Sequence, residues 1–249
     1  MYDLGASIGF ALLGVVIVFV FVELSLISVR GYRAVQEGKR ARPAEKVQSN
    51  PRAKVLIVGD STAYGTGATT PAFSLAGRLI ADHPEFTVIN AAQNAMGLKE
   101  LITKLDEMAD ESFDLVIVQI GGIDTLKLTR CQTIAARLEQ ILRRIAQKFN
   151  TPVTVLVSVN NVGAAQFFRL PVRYLYSWHS RKVSRACGAV CAATGVVHVP
   201  LFHERSSDPL RQGGVHFAPD GIHPNDRGYE IWYAEVRQQI APYVQALYS

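Results

Sequence analysis

From Lys54 onward the chain alternates short apolar runs with longer stretches of helical period, and that alternation restricts it to one class of architecture. The runs 55–58, 87–90, 115–119, 153–158 and 196–199 are β-rich and apolar almost throughout. That is the pattern of strands buried on both faces, as in a parallel sheet. Between and after them lie helical patterns at 73–81, 98–108, 133–148, 174–193 and 226–247. Strand and helix in alternation predict a three-layer α/β/α sandwich around a five-stranded parallel sheet. Functional loops then gather at the carboxyl ends of the strands. No internal repeat or low-complexity tract interrupts the pattern.

A different segment precedes this unit. Residues 4–22 carry no charge, and apolar character resumes after Glu23 as far as Val29. At about 1.5 Å per residue such a helix reaches across a hydrocarbon core of about 30 Å. No Lys or Arg precedes the run, whereas Arg30, Arg33, Lys39, Arg40, Arg42 and Lys46 follow it. A cleaved signal peptide would lead with basic residues. The stretch 4–29 is therefore expected to be a transmembrane anchor in a lipid bilayer, single-pass, with the following domain on the cytoplasmic side by the positive-inside rule. Residues 30–53, polar, basic and broken by Pro43 and Pro51, read as a linker, which leaves 54–249 as the catalytic domain.

The net charge of +5 is concentrated beside the expected anchor. There it follows from topology and can meet anionic headgroups. No base-stacking aromatics are interleaved with it, so nucleic acid is not an expected partner. Three cysteines, Cys131, Cys187 and Cys191, are too few and too unevenly placed for a disulfide framework. Cys187 and Cys191, four apart, fit one face of a helix and read as structural. No cluster of His, Cys and carboxylate suggests a metal, and no cofactor is expected.

The chemistry is carried by two short motifs. Val55-Leu56-Ile57-Val58 runs directly into Gly59-Asp60-Ser61, and far downstream stands Asp220-Gly221-Ile222-His223-Pro224. A hydroxyl is a poor nucleophile at its own pKa. It needs a base to take its proton and a carboxylate to fix the tautomer and orientation of that base. Ser61, His223 and Asp220 are the candidates for the three roles. Read structurally, Ser61 would be a helix N-cap and the Asp–His pair a surface turn. The strand-to-turn context of the serine and the paired acid and imidazole downstream favour catalysis. His179, His198, His203 and His216 lack such context and read as structural or exposed, and Asp60 and Asp124 read as organisers of their own loops.

With these motifs in place, residues 54–249 resemble the SGNH, or GDSL, hydrolases, a family of esterases, lipases and acetyl-hydrolases with a flavodoxin-like sheet. Gly59-Asp60-Ser61 matches the family's first block and Asp220-Gly221-Ile222-His223-Pro224-Asn225 its last, while Gly228-Tyr229-Glu230-Ile231-Trp232 resembles the helix that follows the last block in a lipase-like branch. The resemblance implies an oxyanion hole made by the N–H of Ser61, a glycine N–H in a second block and an asparagine side chain in a third. In the second block Ala95 stands at the glycine position, with Gly97 two residues beyond. In the third, Gly121-Gly122-Ile123-Asp124, Ile123 stands where the asparagine belongs. Isoleucine offers no donor, and losing one oxyanion donor costs about 10²–10³ in rate. Asn94 or Gln93 could supply a replacement amide.

The implied activity is hydrolysis of carboxylic esters through an acyl-enzyme. The aromatic and basic segment 164–178, with Phe167 and Phe168, points to lipid or other acyl esters if it forms an acyl-binding wall or lid; packing on the sheet is the structural alternative. Two other functions fit the same residues: a carbohydrate O-acetylesterase on this scaffold, and a catalytically weakened, membrane-tethered binding protein.

Overall fold

The computed structural model describes residues 4–212 and 215–248, apart from the side chains of residues 4–9, 11, 12, 15, 16, 19, 20 and 24. Five parallel strands form one sheet: β1 (Lys54–Gly59), β2 (Thr87–Asn90), β3 (Leu115–Gln119), β4 (Thr154–Ser158) and β5 (Val197–Pro200), in the order β2-β1-β3-β4-β5. The first four are runs of mainly β-branched or other apolar residues buried on both sides, whereas the edge strand β5 is only partly buried. In β1, Val55 and Ile57 join the core on one face of the sheet while Leu56 and Val58 join the core on the other. This period-two division is what a strand between two helical layers requires.

Helices α3 (Leu75–Asp82) and α8 (Asp226–Ala246) cover the first face, and α4 (Leu98–Glu107), α6 (Cys131–Lys148) and α7 (Val172–Thr194) cover the second. The apolar positions of α6 show how the sequence produces this layer: Ile134, Leu138, Ile141, Leu142 and Ile145 recur at spacings of three and four and are all buried. Two short helices, α2 (Ser61–Tyr64) and α5 (Gly122–Leu126), follow β1 and β3 directly. The expected three-layer sandwich and five-stranded parallel sheet are thus present. Strand order reverses between β1 and β3, and in such sheets a crevice opens there, outside the carboxyl ends of the strands.

The N-terminal region differs from its sequence reading. Helix α1 runs unbroken from Leu4 to Arg40, so it includes the first eleven residues assigned to a linker. The remainder is extended and attached: Lys46 pairs antiparallel with Val88, and Ala41, Ala44 and Ala53 are buried. Two backbone hydrogen bonds, Lys46 N–H to Val88 O at 3.0 Å and Val88 N–H to Lys46 O at 2.8 Å, cover the otherwise open edge of β2.

The expected transmembrane anchor at 4–29 finds no support: among the described residues no helix is long and apolar enough to cross a membrane. Most side chains of 4–20, on which that expectation rested, lie outside the described ones. The following turns are docked on the domain. Glu23 pairs with Arg169 at 3.2 Å, and Arg30 donates to the carbonyl of Phe167.

Candidate active site

The serine sits on a sharp turn between β1 and α2. Gly59 closes the strand at φ +148°, and a Cβ there would lie 1.8 Å from the carbonyl oxygen of Gln119 on β3, so the position admits only glycine. Asp60 then caps α2: its Oδ1 accepts from the N–H of Thr62 at 3.0 Å and from the Thr62 hydroxyl at 2.7 Å, and its Oδ2 accepts from the N–H of Gly122 at 3.2 Å. Asp60 therefore ties the turn after β1 to the turn after β3. Burial raises its carboxyl pKa, against the pull of these hydrogen bonds and of His223. Asp124 organises the other side, accepting from the N–H of Leu98 at 2.8 Å and pairing with Arg137 at 3.2 Å.

The downstream motif reaches the same place. Ser61 Oγ lies 2.8 Å from His223 Nε2, and His223 Nδ1 lies 2.6 Å from Asp220 Oδ2. Asp220 is fully buried, and its second oxygen accepts from the N–H groups of Ile222 at 2.9 Å and His223 at 3.1 Å. Burial alone would raise the Asp220 pKa. The hydrogen bond and charge of the His223 ring, with the two N–H groups, outweigh it and hold the carboxyl below its usual value. An ionised carboxylate only accepts, so Nδ1 carries the ring proton and Nε2 is left to accept from the serine hydroxyl.

Two features that sequence reasoning missed hold the motifs together. Gly67, at φ +96°, lets the loop after α2 abut the histidine block; a Cβ there would lie 2.3 Å from the carbonyl oxygen of Pro224 and 2.9 Å from Cβ of His223. Tyr229, fully buried on the first turn of α8, donates its hydroxyl toward the carbonyl oxygens of Thr66 at 2.8 Å and Thr62 at 3.2 Å. Burial, with Asp60 and Asp220 nearby, pushes the phenol pKa well above its usual value, so this clasp stays protonated.

The second block is only partly available. Ala95 sits in the left-handed region at φ 60°, a conformation that costs an alanine about 1–2 kcal/mol and that its glycine counterpart would adopt freely. Ala95 lines the cavity. Gly97 does not line the cavity, and its N–H is taken by Glu100 Oε2 at 3.1 Å. Asn94 lines the cavity, but its amide nitrogen donates to Gly38 O at 2.9 Å and its oxygen accepts from the Thr66 hydroxyl at 2.6 Å. The Gln93 side chain is exposed and away from the cavity. Ile123 lines the cavity with its apolar side chain. Asn160, two residues beyond β4, lines it as well, and its side-chain amide has no partner among the described residues. An asparagine after a strand, here Asn160 beside Asn161, carries no motif that sequence reasoning could pick out.

These groups open onto a cavity of about 510 Å³ with a predominantly apolar wall that includes Leu126, Val162, Phe167, Ile222 and Trp232. Of the two aromatics expected to form an acyl wall, Phe167 lines it and Phe168 is buried behind, stacked on Tyr176. Four of the remaining histidines are engaged elsewhere, His83 with Tyr248, His198 with Ser158, His203 with Glu235 and His216 with the carbonyl of Leu210, while His179 is buried with its Nε2 unpartnered among the described residues. Cys187 and Cys191 are buried, and burial pushes their thiols up to about 12 and about 11.

The 2-1-3-4-5 parallel order is that of a flavodoxin-like sheet, with a serine at the end of its first strand meeting an Asp–His pair that enters from just before the last helix. The sequence model of the GDSL-like lipase/acylhydrolase family matches residues 57–231, more than half of the chain, and the chain belongs to that family, whose members hydrolyse esters. No curated protein matches it. Among solved structures it is similar to a member of the lipolytic G-D-S-L family from Veillonella parvula (13% identity, TM-score 0.62, 74% of this chain and 96% of that one). It is also similar to TesA (21% identity, TM-score 0.60, 76% and 99%) and to an extracellular lipase from Streptomyces rimosus (16% identity, TM-score 0.61, 75% and 99%). At these identities the likeness is one of fold.

Proposed function

We propose that this protein hydrolyses carboxylic esters of apolar acyl groups through a Ser61 acyl-enzyme. The observation that carries the reading is the Ser61–His223–Asp220 chain of hydrogen bonds, 2.8 and 2.6 Å, opening onto a largely apolar cavity. His223 Nε2 takes the Ser61 proton as Oγ attacks the ester carbonyl. Asp220 stabilises the imidazolium, and His223 passes the proton to the departing alcohol. Water then attacks the acyl-enzyme with His223 again as base, and Ser61 leaves with the proton returned.

The oxyanion would be met by the N–H of Ser61, which as the first residue of α2 has no intrahelical acceptor, and by the N–H of Ala95. Ile123 cannot donate. Asn160, whose amide is unpartnered and which lines the same cavity from the loop after β4, is the better substitute than Asn94, whose amide already holds Gly38. Apolar lining and the lipase neighbours support an acyl rather than an acetyl substrate. Membrane contact belongs to the proposal too, supported by the uncharged run 4–22 and the exposed Phe10, Leu13, Ile17, Val18 and Phe21 of α1.

The test is fluorophosphonate labelling and turnover of p-nitrophenyl esters from acetyl to palmitoyl, for the protein and for Ser61→Ala. Labelling and turnover lost in the variant, with a preference for long chains, support the reading. A preference confined to acetyl favours the O-acetylesterase. Neither labelling nor turnover in folded protein favours the weakened binding protein, the reading that Ile123 supports.

A further inference from the structure

The cavity beside Ser61 is bordered on one side by a segment that lies outside the residues matched by the family. Gly31, Ala34, Val35 and Gly38 of α1 line it. Their spacing of three, one and three puts them on one face of the helix. That face is aimed and held by polar contacts on both sides of the opening: Glu23 with Arg169, Arg30 with the carbonyl of Phe167, and Gly38 O with the Asn94 amide at 2.9 Å. Two of these contacts fall on the segment that carries Phe167, and the third on the loop beside Ala95. The helix therefore bridges the acyl side and the oxyanion side of the site.

Small side chains on this face leave room where larger ones would fill it. A Cβ placed on Gly31 would meet nothing within 4 Å, although the residue is only partly exposed. The volume, about 510 Å³, is in the range of cavities that enclose small organic ligands. We propose that the C-terminal turns of α1 form the roof of an acyl-binding cavity, and that the small residues at 31, 34 and 38 set the length of acyl chain it admits. The proposal rests on the ester-hydrolase reading of Ser61. It assigns chain-length selection to a helix outside the hydrolase domain, with a straight or branched fatty acyl group as the ligand class.

Gly31→Leu in the full chain tests it, with Gly14→Leu, on the same helix but away from the cavity, as the control. Both are assayed for kcat/KM on p-nitrophenyl esters from acetyl to palmitoyl. The expected result is a fall of about tenfold or more for decanoyl and longer esters in Gly31→Leu, the size that a few lost methylene contacts in an apolar pocket produce. Acetyl and butyryl esters should stay within about threefold, and Gly14→Leu should keep the parent profile. A Gly31→Leu profile equal to the parent's, or a uniform fall at every chain length, overturns the proposal. Failure of the underlying reading looks different: the parent protein itself would then neither label at Ser61 nor turn over any ester.

Discussion

The corner proposed to move protons and the corner proposed to stabilise charge are built differently. Around Ser61, His223 and Asp220 each polar atom has a partner, the carboxylate is buried beneath two backbone N–H groups, and glycines at 59 and 67 fit where no Cβ could. Opposite them, Ala95 occupies a glycine conformation, Ile123 presents methyl groups, and Asn160 is unpartnered. Proton transfer depends on particular side-chain atoms at hydrogen-bond distance, so its residue types are restricted. Charge stabilisation needs only an N–H at the right point, and backbone or a side chain from another loop can supply one.

The largest expected effect breaks the tight corner. Asp220→Asn keeps the shape but holds the wrong tautomer, and kcat should fall by about 10⁴, read by steady-state kinetics. The same variant reports on stability. Because the native Asp220 carboxyl is held below its usual value, its contribution is present above the unfolded pKa of about 3.9 and is lost as pH falls through the lower native value. Denaturation series from pH 6 down to pH 2 should therefore show a shallower loss for Asp220→Asn than for the parent.

The loose corner should yield less. Asn160→Ala is expected to cost about 10²–10³ in kcat with KM little changed, and Ile123→Asn in that background should restore part of it. An unchanged kcat in Asn160→Ala would leave backbone N–H groups alone at the oxyanion. Gly67→Ala, which presses a methyl on Pro224 and His223, should lower stability by about 1–3 kcal/mol by chemical denaturation and reduce activity with it. Smallest of all, Ala95→Gly should gain about 0.5–1 kcal/mol, since relief of the left-handed strain exceeds the added freedom of the unfolded chain.

The same contrast governs what could be read without a structure. The five strands were legible because apolar runs between two helical layers leave no other pattern, and Ser61, Asp220 and His223 because their residue types are restricted. Helices α2 and α5 were not, since four or five residues are too short to show a helical period. Gly97 looked available until Glu100 was seen to occupy its N–H. Residues 30–40 looked like a polar tether, because Arg30, Arg33, Lys39 and Arg40 dominate the composition, while the small, half-buried Gly31, Ala34 and Gly38 carry no hydropathy signal.

One consequence of the Tyr229 clasp concerns vibration rather than chemistry. His223 lies three residues before α8 begins, and Tyr229 on its first turn grips the carbonyls of the serine's own turn. A displacement of α8 thus carries imidazole and hydroxyl in the same direction. The pair behaves like two instruments bolted to one bench: the bench can shake while the gap between them holds.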